Sequence, residues 1–192
     1  MSDALPGIGA STARSIGSHQ SASAGTHTWL TPPSIINALG PFDLDPAACP
    51  APRPWDTAGT MWTREDGPLR REWSGRVWLN PPFGPKPLVS QFMARMADHG
   101  RGTALLFART ETEVFFASVW DRATAVLFLK GRPHFHRQDG SRAAANSGAP
   151  VCLIAYGQFD AAKLRLCGLP GRYVHLTDTA YNRQPLGMPV CP

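Results

Sequence analysis

Apolar positions along this chain change period several times, and each change marks an element. Residues 103–108 (TALLFA) and 123–129 (ATAVLFL) are near-continuous apolar runs, as expected of strands buried on both faces. Between them, residues 111–120 predict a helix with acids in its first turn, where they favour the helix dipole. Upstream, Leu88, Phe92 and Met96 share one helical face with Val89 and Met93 beside them. This predicts a helix over 87–99, stopped by Gly100. Residues 76–79 (RVWL) form a strand ending at Asn80-Pro81-Pro82-Phe83-Gly84. Thr31-Pro32-Pro33 reads as an N-cap with first-turn prolines, opening a short helix through Leu39 that Gly40 closes. Residues 42–45 form a short strand, and the Pro- and Gly-rich stretch 46–68 reads mostly as loop. Residues 133–137 and 151–156 are paired as a β-ribbon across a long small-residue loop, and 160–167 form a last helix.

Strands alternating with helices predict an α/β doubly wound fold with a mainly parallel sheet, helices on both faces and an antiparallel edge ribbon. Ligands in such folds bind beyond the carboxyl ends of the strands. Two features sit there: Asp43-Leu44-Asp45-Pro46 and the Asn80-Pro81-Pro82-Phe83 loop. No internal repeat is present. Residues 1–26 hold 15 Ser, Ala or Gly and two charged residues, and read as a flexible tail. Residues 177–192 read as a second tail, leaving a working core of 27–176.

The chain has 192 residues, which fits one domain with tails. Its net charge is +5, carried by 16 Arg against 3 Lys. Arginine suits phosphate contacts and base stacking, so the bias points either to an anionic partner or to genomic composition. The charge is uneven. Residues 40–72 hold six acids and four Arg, whereas 122–142 carry Arg122, Lys130, Arg132, Arg137 and Arg142 against Asp139 alone. The longest apolar run, 151–156, is far short of the ~20 residues a membrane helix needs. No secretion signal is apparent, and a cytoplasmic location is expected. Cys49, Cys152, Cys167 and Cys191 lack metal-ligand spacing, so neither a disulfide framework nor a metal site is expected. His134 and His136 lack an accompanying carboxylate cluster.

The Asn80-Pro81-Pro82-Phe83 loop carries the sharpest chemistry. Two prolines end the strand ladder and make the turn rigid. The Asn80 side-chain oxygen and the Pro81 carbonyl can then take both hydrogens of an exocyclic amino group. This draws the amine lone pair out of conjugation and aims it at an electrophile. Phe83 offers a ring face on which a planar base can stack. The alternative is a plain strand-terminal turn with a packed Phe.

An Asn-Pro-Pro-aromatic loop after a strand resembles the catalytic signature of amino-group methyltransferases. Further stretches resemble the phage-type DNA N6-adenine methyltransferases: Thr28-Trp29-Leu30-Thr31-Pro32-Pro33, Phe42-Asp43-Leu44-Asp45-Pro46-Ala47-Ala48, Asp66-Gly67, Trp73-Ser74-Gly75, Phe107-Ala108-Arg109-Thr110, and Gly131-Arg132 with Phe135. The resemblance spans residues 28–156. It implies a Rossmann-like class I methyltransferase fold and S-adenosylmethionine as methyl donor. It implies transfer to the N6 amine of an adenine flipped out of double-stranded DNA. Asn80, Pro81, Pro82 and Phe83 would be catalytic. Asp45, with the turn Pro46-Ala47-Ala48 in place of a Gly-rich loop, would meet the cofactor, and Asp45 rather than Asp43 is assigned to the pocket. Asp66 would contact the cofactor adenine, or else serve as a turn residue before Gly67. Trp29, Thr31 and Pro32 would close the pocket, or Trp29 would be a core aromatic. Arg109 and Thr110 lie on the same rim and would contact DNA. The ribbon, with Arg132, His134, His136, Arg137 and Arg142, would present its cations to phosphate, or else form a solvated edge. Rival readings keep the methyl transfer but change the acceptor to RNA adenine or a protein glutamine amide. Another reading is a non-catalytic DNA-binding protein with a decayed cofactor site.

Overall fold

Side chains along the strands point to the two faces of the sheet in turn, and the two resulting sets form two cores. The computed structural model describes residues 29–82 and 86–176. The tail readings for 1–26 and 177–192, and Phe83 itself, lie outside these residues.

The strands are β1 (Leu44–Asp45), β2 (Thr60–Met61), β3 (Val77–Leu79), β4 (Gly102–Phe107), β5 (Ala125–Leu129), β6 (Val151–Tyr156) and β7 (Gly171–His175). They form one mixed sheet in the order β2-β1-β3-β4-β6-β5-β7. Neighbours from β2 to β4 are parallel. Strand β6 is antiparallel to both β4 and β5, so β5 points the same way as β4. β7 closes the far edge antiparallel to β5. The helices are α1 (Pro33–Leu39), α2 (Lys86–His99), α3 (Glu113–Phe115) and α4 (Gln158–Leu166).

Val77, Leu79, Ala104, Leu106, Cys152, Ile154 and Tyr156 face one core with Phe92, Met93 and Met96 of α2. Trp78, Leu105, Leu153 and Ala155 face the other, against Ile35, Ile36 and Leu39 of α1 and Ala161 and Leu164 of α4. Helices thus cover both faces, which is why the central strands are nearly continuous apolar runs, with Thr103 the buried polar residue of β4.

The ribbon expectation is corrected. Residues 151–156 form an interior strand, six buried residues hydrogen-bonded on both sides, rather than the partner of 133–137. Residues 133–137 instead fold into a small hairpin: Ala143 N–H donates to the Phe135 carbonyl at 2.8 Å, and His136 bridges both Arg142 and Leu30. The antiparallel edge exists, but β7 makes it. The loop 46–68 contains β2 and the 3-10 turn Arg64–Asp66. A second such turn, Pro68–Arg70, follows. The helix expected over 111–120 is one α turn capped by Thr112, continuing as a π turn, Phe116–Trp120. The residue at the N-cap of α1 is Pro32, not Thr31, and no side chain caps it.

Parallel packing of β3 on β4 requires Gly102. Its φ is +133°, and a Cβ there would lie 2.1 Å from the Val77 carbonyl oxygen. The carboxyl ends of β1, β3 and β4 therefore open on one edge. The chain runs from β1 to β2 on one side, then returns to β3 on the other. The topological switch point lies between β1 and β3, where open α/β sheets hold their ligands.

Candidate active site

A cavity of about 890 Å³ sits at that switch point. The turn after β1 supplies Pro46, Ala47, Ala48 and Cys49, and the loop after β3 supplies Asn80, Pro81 and Pro82. The N-terminal half of α2 adds Leu88 and Phe92, from the apolar stripe foreseen from the helical period. The opposite wall is the paired 3-10 turns, with Thr63, Arg64, Glu65, Leu69 and Arg70. Trp73 holds this wall in place: its buried indole N–H donates to the Pro68 carbonyl at 2.9 Å. Trp29 borders the cavity from the N-terminal side.

Asp45 is buried at the end of β1. One carboxylate oxygen accepts the Ala47 N–H at 2.9 Å, and the other accepts the Thr57 hydroxyl. These bonds shape the turn that lines the cavity. Burial pushes the carboxyl up to about 6, against the pull of Thr57, Ala47 and Arg53 in the other direction. The turn is further tied to the residue after β2, since Ala48 N–H donates to the Trp62 carbonyl at 2.9 Å. Asp43 acts elsewhere: its carboxylate accepts the Arg76 N–H at 2.6 Å, at the foot of β3.

The Asn80 amide is oriented from one side only. Its Nδ2 donates to the Trp29 carbonyl at 3.4 Å, while Oδ1 is buried and unpartnered among the described residues. The reverse orientation would set two acceptors against each other, so the Trp29 carbonyl determines which end is free. Pro81 is buried and Pro82 half-buried beside it. A buried oxygen with no partner is costly unless a ligand supplies the donor. Oδ1 therefore fits an incoming N–H group.

Other residues singled out from sequence lie around this centre. Asp66 is exposed, and its carboxylate accepts both the N–H and the hydroxyl of Thr63, at 2.8 and 3.0 Å. Those bonds hold its carboxyl below its ordinary value. Its neighbours, not Asp66, line the cavity. Thr31 and Pro32 are buried behind Trp29, outside the cavity wall. Arg109 is exposed just past the carboxyl end of β4, and Thr110 accepts the Trp120 indole N–H through its carbonyl at 3.0 Å. Arg132, Arg137 and Arg142 are exposed on the hairpin segment, and none forms an ion pair among the described residues. His134 and His136 are half-buried, and His134 Nδ1 lies 3.1 Å from the Ala143 carbonyl. Phe135, between them, enters the core. Sequence reasoning missed Thr57, Cys49, Glu65 and Arg64. All four belong to the aperiodic loop after β1, where only a three-dimensional fold reveals the contact.

A family model described as DNA N-6-adenine-methyltransferase (Dam) matches residues 18–175. The chain belongs to this family. No curated protein and no solved structure matches it. Membership in the Dam family supports DNA adenine N6-methylation as the general reaction class. Among the described residues, no helix of this Dam-family chain is long and apolar enough to cross a membrane. Nor does any group of three or more His, Cys, Asp or Glu among them suit a metal ion.

Proposed function

We propose that the protein is a phage-type, S-adenosylmethionine-dependent DNA methyltransferase with a Rossmann-like class I fold, acting on adenine flipped from the duplex. The observation that carries this reading is the buried, unpartnered Oδ1 of Asn80, a residue of the switch-point cavity wall. The cavity is of a size for a nucleoside-bearing cofactor. Bound there, S-adenosylmethionine supplies an activated methyl group. The wall provides apolar contact from Leu69, Leu88 and Phe92, and the Glu65 carboxylate is suited to sugar hydroxyls. Asp45 works one layer back, holding the Pro46-Ala47-Ala48 turn in shape.

Asn80 Oδ1 and the Pro81 carbonyl each accept one N6 hydrogen of the target base. This localises the nitrogen lone pair and aligns it, and alignment is the main source of rate. Phe83 stacks on the base, and Trp29 closes the site, with Thr31 and Pro32 packed behind it. An adenine inside a duplex cannot reach this depth, which calls for flipping. Arg109 and Thr110 on the rim, and Arg132, His134, His136, Arg137 and Arg142 on the hairpin segment, contact the DNA. The resemblance to phage-type enzymes suggests a prophage product working in bacterial cytoplasm.

The test is incubation with methyl-labelled S-adenosylmethionine and unmethylated double-stranded DNA, followed by digestion to nucleosides. Label is expected in N6-methyladenine. Label in 5-methylcytosine, or on the protein alone, would falsify the reading.

A further inference from the structure

Three chain segments meet at Trp55, which lies in the loop between β1 and β2. Its indole N–H donates to the Thr31 carbonyl at 3.2 Å. Its ring stands edge-on to His136, with centroids 5.1 Å apart at 88°. The hairpin tip also packs here: a Cβ on Gly140 would come within 3.8 Å of the Trp55 ring. The hairpin in turn grips the strap of residues 29–31, because Leu30 and His136 exchange backbone hydrogen bonds of 2.8 and 3.0 Å. The strap is thus held at Leu30 by the hairpin and at Thr31 by Trp55. Its remaining carbonyl, Trp29, accepts the Asn80 amide at 3.4 Å.

That last bond keeps Asn80 Oδ1 free and aimed. An amide side chain rotates easily about its terminal torsion when nothing holds it. A strap that drifts would release Asn80 Nδ2 and blur the acceptor. Trp55 itself is not part of the cavity wall. We propose that Trp55 is a positioning residue for methyl transfer, holding the strap whose Trp29 carbonyl orients the Asn80 amide. This rests on the reading of Asn80 as the acceptor of adenine N6–H. It also links the hairpin to the reacting group: His136 touches Trp55 and pairs with Leu30, so the segment that bears the exposed arginines supports the same strap.

Trp55→Phe keeps a ring against His136 and removes the N–H donor. The expected result is a kcat about tenfold lower, the size of one net hydrogen bond expressed in a barrier. The KM for S-adenosylmethionine should change by no more than about twofold, because Trp29 is the one strap residue that borders the cavity and the rest of the wall lies on other segments. A second reading needs no turnover. In protein carrying 15N-asparagine, the Asn80 side-chain pair is identified by its loss in Asn80→Ala. That pair should shift or broaden in Trp55→Phe while the Asn37 and Asn146 pairs stay in place. Trp55→Leu, also without the donor, takes the same two measurements if Trp55→Phe does not fold. An unchanged kcat, an unmoved Asn80 pair, or a KM that rises as far as kcat falls overturns the inference while leaving the methyltransferase reading intact. A wild-type chain that methylates no adenine sinks that reading, and this one with it.

Discussion

The Arg76 Nε lies 2.7 Å from Asp160 Oδ1, a fully buried ion pair between residues 84 apart in the chain. Thr103 donates to the same carboxylate at 3.2 Å, Arg76 donates to the Pro41 carbonyl at 2.7 Å, and the guanidinium sits 4.2 Å over the Phe42 ring. The pair joins the feet of β3 and β4 to α4, at the end of the sheet opposite the cavity. Burial raises the Asp160 carboxyl, with Arg76 opposing. Asp160→Ala strands the guanidinium in the core and should cost about 3–5 kcal/mol in urea unfolding. Replacing both partners, as Arg76→Met with Asp160→Leu, should recover most of that loss. A double variant no more stable than Asp160→Ala would show that the pair does more than neutralise itself.

Asn80→Ala removes the free acceptor without touching the turn after β1. Single-turnover methyl transfer should fall by about 10²–10³, the loss typical of one preorganised polar group at a reacting centre. Calorimetry should find the affinity for S-adenosylmethionine within about threefold of wild type. Transfer within tenfold of wild type would remove Asn80 from its role.

Asp45 gives the stability a pH dependence of defined sign. Its folded carboxyl titrates at about 6 rather than 3.8, because burial disfavours the charge. The folded state therefore holds a proton that the unfolded state releases, and stability falls as pH rises from about 4 through about 6. Asp45→Asn should remove that step, read as the difference between the two denaturation profiles. Although Asp45 stands behind the wall, its ionised form should favour a cationic ligand through its charge, so wild-type affinity for S-adenosylmethionine should rise through about pH 6. A flat wild-type affinity profile would rule out a charged Asp45 as part of the binding.

Arg132, Arg137 and Arg142 are exposed, and none forms a close ion pair among the described residues. Each one changed to Ala should weaken duplex binding and reduce the slope of log affinity against log salt by about one. Cofactor affinity should not move. An unchanged slope in the triple variant would place the DNA elsewhere.

The parts of the fold legible in the sequence are those with a strong period. The stripe Leu88, Phe92, Met96 gave α2, and the apolar run at 103–108 gave β4 with a shift of one residue at each end. The run at 151–156 contained a warning against its assignment as a ribbon. An edge ribbon alternates, whereas Val151 to Tyr156 is apolar throughout and is buried on both faces. β7 was hidden because Gly171–His175 lies mostly exposed on the sheet edge and carries little apolar signal. In the site, the Asn80 loop was readable because two prolines leave the chain few choices. The partnership of Asp45 with Thr57, and of Trp55 with Thr31, was not readable. Those contacts join aperiodic loops, and no local spacing encodes them.

The place of β6 in the sheet has a consequence for how the chain is made. Gly102 pairs with Tyr156, and β6 fills the slot between two strands that leave the ribosome before it. Until residue 156 emerges, β4 and β5 have no common neighbour, and both present open, apolar edges. Such edges invite pairing with other nascent chains. The catalytic loop, although complete by residue 84, must then wait for a strand nearly seventy residues later before its sheet is whole. A product shortened ahead of β6 would carry every proposed catalytic residue and still be a target for chaperones and proteases rather than an enzyme.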